Sequence, residues 1–301
     1  MSTIATATAL SVPARAGGGS LWSDAWRRLR KNRMAVASGW MLLAIGAICL
    51  FAPWIPGLPD PNATNFELGV TPPSWQHVMG TDLLGRDMLA RVIYGGRISI
   101  LVGLVGTLVS LVIGVSYGAI SAYAGGKVDE VMMRIVDVLY SLPYIFLVIL
   151  LLTVFSKSLL LLFVALGAVQ WLTMARIVRG QVLSLKNQNF VEAARALGAS
   201  DSRIVFAHIV PNTLGPVIVY TTLTIPAIIL QEAFLSFLGL GVQPPDASWG
   251  VLVSEGAQML AFFPWLTIFP GFALALTLFA FNFLGDGLRD ALDPQDRKVA
   301  G

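Results

Sequence analysis

Six runs of apolar residues, at 34–51, 98–124, 138–155, 159–177, 214–237 and 262–284, dominate this chain. Each is close to the roughly 20 residues an α-helix needs to cross a bilayer. So much apolar surface cannot be hidden in one aqueous core, and a backbone in lipid must satisfy its amides within helices or a closed barrel. Runs of this length without strict alternation select helices. The expected fold class is therefore an all-α membrane protein with six transmembrane helices. Of 301 residues, 56% are hydrophobic and 12% charged, against about 25% charged in soluble chains. A soluble enzyme and a disordered chain are excluded on that ground. The single cysteine, Cys49, excludes a disulfide-stapled domain, and His77 and His208 are too few and too far apart in sequence to suggest a metal cluster.

The charges choose an orientation. Residues 1–33 hold six basic residues against Asp24, a net of +5 within a chain of net +3, so the remainder carries −2. A basic tail beside an apolar run is a topology signal before it is a nucleic-acid footprint, and no nucleic-acid partner is expected. Six crossings put both termini on one side. Placing that side in the cytoplasm puts sixteen of the twenty Lys and Arg residues there, leaving Arg86, Arg91, Arg97 and Lys157 outside. The first 20 residues have no basic segment ahead of an apolar core, which argues against a signal peptide. The expected organisation is a flexible basic cytoplasmic tail over 1–33, a first transmembrane helix over 34–56 and an external segment over 57–97. A core of five transmembrane helices over 98–286 and a cytoplasmic tail over 287–301 follow. Within the external segment, residues 87–94 suit a short helix on the outer membrane surface or the leader of an ordinary span.

Chemistry is scarce inside the spans. Arg134 and Asp137 lie at the inner end of the third and Glu232 near the outer end of the fifth, with no ionisable residue deep in any of them. A proton relay is therefore disfavoured, while a sodium site built from carbonyls and hydroxyls stays open. Gly126-Lys127 fails the phosphate-loop pattern, with Ser121 where the first glycine is needed and Val128 after the lysine. No nucleophile motif occurs either, so no catalytic residue, cofactor or metal is expected, and any ATP must be hydrolysed by a partner. Gly106, Ser110, Gly114, Gly118 and Ala122 form a small-residue ridge suited to close helix packing. Pro143, Pro226, Pro264 and Pro270 favour kinks, which both packing and a translocation path can use.

The informative loop joins spans four and five. Asn189 can cap a helix with Glu192 at its third position, Gly198 can end it in a left-handed turn, Ser200 can cap a second helix, and Pro211 can stop that one. Ala193, Ala194 and Ala196 keep the first helix slim enough to enter another protein's groove, with Glu192 and Arg195 at its rim.

Glu192-Ala193-Ala194, then Gly198, then His208-Ile209-Val210-Pro211-Asn212, resembles the EAA loop of ABC importer permeases in its dipeptide and oligopeptide branch. Four further stretches are similar to that branch: Gly80-Thr81-Asp82-Leu83-Leu84-Gly85-Arg86-Asp87, the run from Glu232 to Gly241, Ser248-Trp249-Gly250, and the close from Gly285 to Pro294. Val210 replaces the usual leucine. The resemblance implies the type I importer fold in a prokaryotic inner membrane and a subunit paired with a second homologous permease. It also implies two ATPase subunits carrying ATP and Mg, and an external binding protein that delivers peptide, with nickel complexes and oligosaccharides also carried within the branch. Glu192, Ala193, Ala194, Arg195, Gly198, His208 and Pro211 would form the ATPase-coupling loop, and Asp82, Arg86, Asp87 and Trp249 would meet the binding protein. A channel or ion-coupled carrier working without ATPases is the rival.

Overall fold

The computed structural model describes residues 21–155 and 158–292. Among them the secondary structure is helical apart from one β-bridge between Thr81 and Asp87. Helix α1 (Leu21–Lys31) carries Asp24 in its first turn and Arg28, Arg30 and Lys31 in its last, which complements the helix dipole. The sequence placed these residues in a flexible tail. They lack an apolar run, yet they alternate on a helical period, with Ala25 buried against the bundle. Residues 1–20 lie outside the described residues.

Asn32 caps α2 (Arg33–Leu50) by accepting from the Ala35 amide at 3.1 Å. The first crossing thus stops at Leu50, short of 56, and a 3-10 turn over Ala52–Trp54 follows. Asp87 caps α3 (Met88–Ala124), accepting from the Ala90 amide at 2.8 Å. Residues 87–94, expected outside as a surface helix or a span leader, are therefore the cap and first turns of α3 and not a separate helix. Gly125, at φ +65°, ends α3.

The third apolar run falls across two helices, α4 (Gly126–Ser141) and α5 (Tyr144–Val154), bent by 84° around Leu142-Pro143. Ser158 caps α6 (Leu159–Leu185). After α7 (Asn189–Ala196), the turn α8 (Asp201–Arg203) runs without interruption through a π segment (Ile204–Ile209) and a 3-10 segment (Val210–Thr213) into α9 (Leu214–Phe237). Pro211 does not stop this run. It sits at the start of the 3-10 segment, where a missing amide hydrogen costs least. Helix α10 (Trp249–Ala257) leads to α11 (Trp265–Leu292), which starts after Pro264 and continues past 286. The end of the expected C-terminal tail, 293–301, lies outside the described residues. In all, α2, α3, α6, the Asp201–Phe237 run and α11 are long and apolar enough to cross a membrane, and the bent α4/α5 pair is the sixth candidate.

The bundle is built on α3 against α6, its most extensive pairing. All five residues of the small ridge are buried. A Cβ at Gly114 would lie 2.6 Å from Met174 Cβ, and one at Gly167 would lie 2.6 Å from the Gly106 carbonyl oxygen. The backbones thus approach as closely as the glycines permit. Three apolar clusters run along the bundle. One at the α7 end includes Met174, Val178, Val191 and Ile204, a central one includes Val102, Leu166 and Ile228, and one at the α10 end includes Met88, Trp249 and Leu266.

Candidate functional site

At the α7 end, the chain leaves α6 at Lys186, whose ammonium donates to the Ala122 carbonyl at 2.8 Å. Gln188, not Asn189, occupies the cap position of α7, with no side-chain cap bond, and Asn189 is the first helical residue. Ser200 does stand at the cap of α8, also without a side-chain bond. Gly198 closes α7 at φ +80°. Its amide donates to the Arg195 carbonyl at 3.0 Å, and the Ala199 amide donates to the Ala194 carbonyl at 3.1 Å. An L side chain is strained at that φ, which is why glycine is needed there.

The loop has two faces. Val191 and Ala194 are buried and join Ile204, Val205 and Ile209 in the cluster formed with Ala119, Ala122, Met174 and Val178. Glu192, Ala193, Arg195 and Ala196 are exposed, and Leu197 is 88% exposed. His208 is half-buried and its carbonyl accepts from Asn212 at 2.6 Å, while Pro211 is exposed. The Tyr123 hydroxyl, at the end of α3, donates to Asp201 at 2.7 Å and accepts from Arg195 at 3.5 Å. One step further along, the Arg179 guanidinium pairs with Asp129, which also accepts from Ser121 at 2.6 Å. Arg176 meets Asp137 at 2.8 Å. The loop is thus seated on α3 and α6 through its buried face and tied to α3 through Tyr123. Sequence reasoning missed Tyr123, Lys186, Asp129 and Arg179, because contacts between positions 50 to 80 residues apart leave no local pattern.

The opposite end gathers the other four candidates. Asp82 Oδ1 accepts from the Leu84 and Arg86 amides at 2.9 and 3.0 Å, and Oδ2 accepts from Arg86 Nε and Arg91 Nη1, both at 2.7 Å. Arg91, 3% exposed, also reaches Glu255 at 3.0 Å. Asp87 caps α3 with one oxygen and holds His77 Nδ1 at 2.8 Å with the other. Trp249 is 1% exposed, its amide donating to Ser99 Oγ at 3.0 Å and its indole to the Val92 carbonyl at 2.8 Å. Asp82, Asp87 and Trp249 therefore turn inward and brace the segment that leads into α3, with Arg86 folded back onto Asp82. The side chains facing outward beside them are Leu83 and Leu84. Glu232 is fully buried, its Oε1 accepting from Ser236 at 2.8 Å and from Ser248 at 2.7 Å, which pins α9 to the start of α10. Among the described residues no group of His, Cys, Asp and Glu is disposed to hold a metal ion.

Two families match the sequence: residues 110–298 match the binding-protein-dependent transport system inner membrane component, and residues 20–73 match the N-terminal transmembrane domain of oligopeptide transport permease C. The chain is 53% identical to the oligopeptide transport system permease protein OppC of Haemophilus influenzae, over 93% of this chain and 90% of that protein. It is 47% identical to the dipeptide transport system permease protein DppC of Bacillus subtilis, over 93% and 87%. Among solved structures, an inward-facing methionine ABC transporter MetNI superposes with a TM-score of 0.55 at 19% identity, covering 68% of this chain and 98% of that one. That likeness carries the fold alone.

Proposed function

The chain belongs to the family of inner-membrane components of binding-protein-dependent transport systems, and from that premise we propose that it is the permease subunit of an ATP-driven importer whose cargo is oligopeptides or dipeptides. It works beside a second homologous permease, with two ATPase subunits that bind ATP and Mg on the cytoplasmic side and an external protein that hands over the peptide. The α7 end faces the cytoplasm, consistent with sixteen of the twenty basic residues lying there under this topology.

The observation that carries this reading is the two-faced α7 loop. Its buried face, Val191 and Ala194, is continuous with the core of α3 and α6, while its other face offers Glu192, Ala193, Arg195 and Leu197 to a partner. An ATPase holding the exposed face can push or pull the whole packed unit, because a close-packed core transmits displacement and does not absorb it. ATP-driven closure of two such ATPases would draw the paired loops together and bias the helices towards an outward-open state, and hydrolysis would release them. Around Asp82, Arg86, Asp87 and Trp249 the binding protein would meet a rigid outer platform, touching the exposed Leu83 and Leu84 between those braced residues.

Purification with its neighbouring subunits tests the proposal. Co-isolation of ATPase subunits and ATP-dependent peptide uptake in proteoliposomes are expected. Full transport by this chain alone would overturn it in favour of a channel or a sodium-driven carrier.

A further inference from the structure

Helix α1 is unlike the crossings. It has Trp22, Ala25, Trp26 and Leu29 at the spacing of one helical stripe, with Arg27, Arg28, Arg30 and Lys31 against one acid, Asp24. A narrow apolar stripe beside a basic face is the pattern of a helix that lies in the lipid–water interface. Ala25 is buried, whereas Trp22 and Trp26 are more than half exposed, and the Arg30 guanidinium lies 5.5 Å over the Trp26 ring. Asn32 follows α1 and caps α2, so α1 stands at the membrane face where the first crossing begins. A Cβ at Gly287 of α11 would run into Ala35 and lie 3.5 Å from Leu29, which seats the corner between α1 and α2 on the last turns of α11.

Between α1, α6, α9 and α11 lies a 670 Å³ cavity, within the range of about 300–1,000 Å³ typical of small-ligand sites. Its lining is divided in character. Ile177, Val219, Leu223 and Leu292 are apolar, while Arg28 of α1 and Arg289 of α11 supply two guanidinium groups. The one acid of the lining, Asp24, is met by Arg27 at 3.4 Å. Arg289, Gln181 and Tyr220 also line the cavity, and none of their side chains has a hydrogen bond or ion pair among the described residues. All three carry donors. Donors gathered around a cation suit an anion with several oxygens, and a guanidinium takes phosphate oxygens in a fork. The apolar part of the lining suits hydrocarbon.

We propose that this cavity holds an anionic phospholipid of the leaflet in which α1 lies, its phosphate taken by Arg28 and Arg289 and its glyceride and upper acyl chain by Val219, Leu223 and Ile177. A zwitterionic lipid brings its own cation to compete with the two arginines, so the net charge of the headgroup decides occupancy. The basic face of α1 adds the general attraction of an anionic surface for juxtamembrane Lys and Arg. Pro211 and Asn212, which directly follow the π segment after α7, line the same cavity. A bound lipid therefore ties α1 and the end of α11 to the base of α9. The importer reading adds only which leaflet this is, the cytoplasmic one.

The test places the full-length chain, purified with its partner subunits, in nanodiscs of equal parts phosphatidylcholine and phosphatidylglycerol. Native mass spectrometry should find phosphatidylglycerol retained. Retention should fall about fivefold in Arg28→Gln and about fivefold in Arg289→Gln, the value of one basic residue at an anionic surface. Arg289 is exposed, so its variant keeps the fold even where loss of Arg28 loosens α1. Arg30→Gln takes the same charge from α1 outside the cavity and should leave retention unchanged. A photoreactive residue at position 219 should capture phosphatidylglycerol in preference to phosphatidylcholine, and inorganic phosphate at matched ionic strength should not displace it. Unchanged retention in Arg289→Gln, an equal loss in Arg30→Gln, or equal capture of both lipids would overturn the lipid site. So would displacement by phosphate, or capture at position 219 of residues 1–20, of residues 293–301 or of a partner subunit. These are readouts of binding, so their failure leaves the importer reading to be judged by uptake alone.

Discussion

Arg179 reaches from α6 to Asp129 of α4 with two parallel hydrogen bonds, Nε to Oδ1 at 2.7 Å and Nη2 to Oδ2 at 2.6 Å. This fork fixes α4 against the helix that leads into α7. Lysine keeps the charge but cannot reproduce the two-pronged geometry. With the Arg179 side chain 35% exposed, solvent screening limits the cost. Arg179→Lys is expected to cost about 1 kcal/mol, lowering the melting temperature of the solubilised assembly by roughly 2 °C. Arg179→Met, which leaves Asp129 only the Ser121 hydroxyl, should lower it further. Thermal unfolding followed by light scattering checks both.

Gly198 has nothing within 4 Å of where a Cβ would stand. Crowding by neighbours therefore contributes nothing, and the cost of substitution comes from φ +80° alone, about 1–2 kcal/mol for an ordinary L residue. Asparagine tolerates this region better than alanine, and valine tolerates it least. Peptide imported per ATP hydrolysed should fall in the order Gly, Asn, Ala, Val. An equal ratio for Gly198→Val and wild type would remove the turn from the coupling path.

Leu197 touches little within the chain and is the most exposed apolar side chain of the loop. Leu197→Asp should leave the permease folded and inserted, and should weaken ATPase association at least tenfold, the loss expected on truncating one well-packed interface anchor. Sedimentation of the purified subunits measures this directly.

Asp82 holds two backbone amides and two arginines at once. Asp82→Ala leaves Arg91, 3% exposed, with Glu255 as its remaining ion partner. The expected cost is about 3 kcal/mol, since a buried carboxylate that accepts from two arginines and two amides is lost and Glu255 answers only one of them. The amount of protein in the membrane fraction should drop, and Asp82→Asn, which keeps an oxygen for the backbone amides, should recover part of it.

The sequence was most legible where long apolar stretches stood between charged loops. Five crossings lie where the apolar runs predict them, and the buried ridge from Gly106 to Ala122 follows from its four-residue spacing. The turn at Gly198 was legible for the same reason, a local rule about one residue type. Boundaries were read less well, because caps and tertiary contacts outweigh composition. Asp87 extends α3 through 87–94, and Pro211 sits harmlessly in a 3-10 turn inside a continuous run. Helix α1 has its apolar residues on a single stripe among charges and not in a run, so it carries no signal of the kind that marks the crossings. The outer candidates were found as residues but not as orientations. Nothing local in Asp82, Asp87 or Trp249 says whether a side chain faces out or back into the bundle, and that is decided by Arg91, His77, Ser99 and Val92, which only folding brings near.

From Asp201 to Phe237 the chain runs 37 residues without a break, about 55 Å at 1.5 Å per residue. Its first turn is tied to α3 by Tyr123 and its last turns to α10 by Glu232. Its pitch changes at the π segment Ile204–Ile209 and at the 3-10 segment Val210–Thr213, and Pro226 stands inside α9. On the importer reading, a displacement of the coupling loop would travel to α10 along one continuous helical run, with its bending confined to those few places where the pitch changes or proline removes an amide.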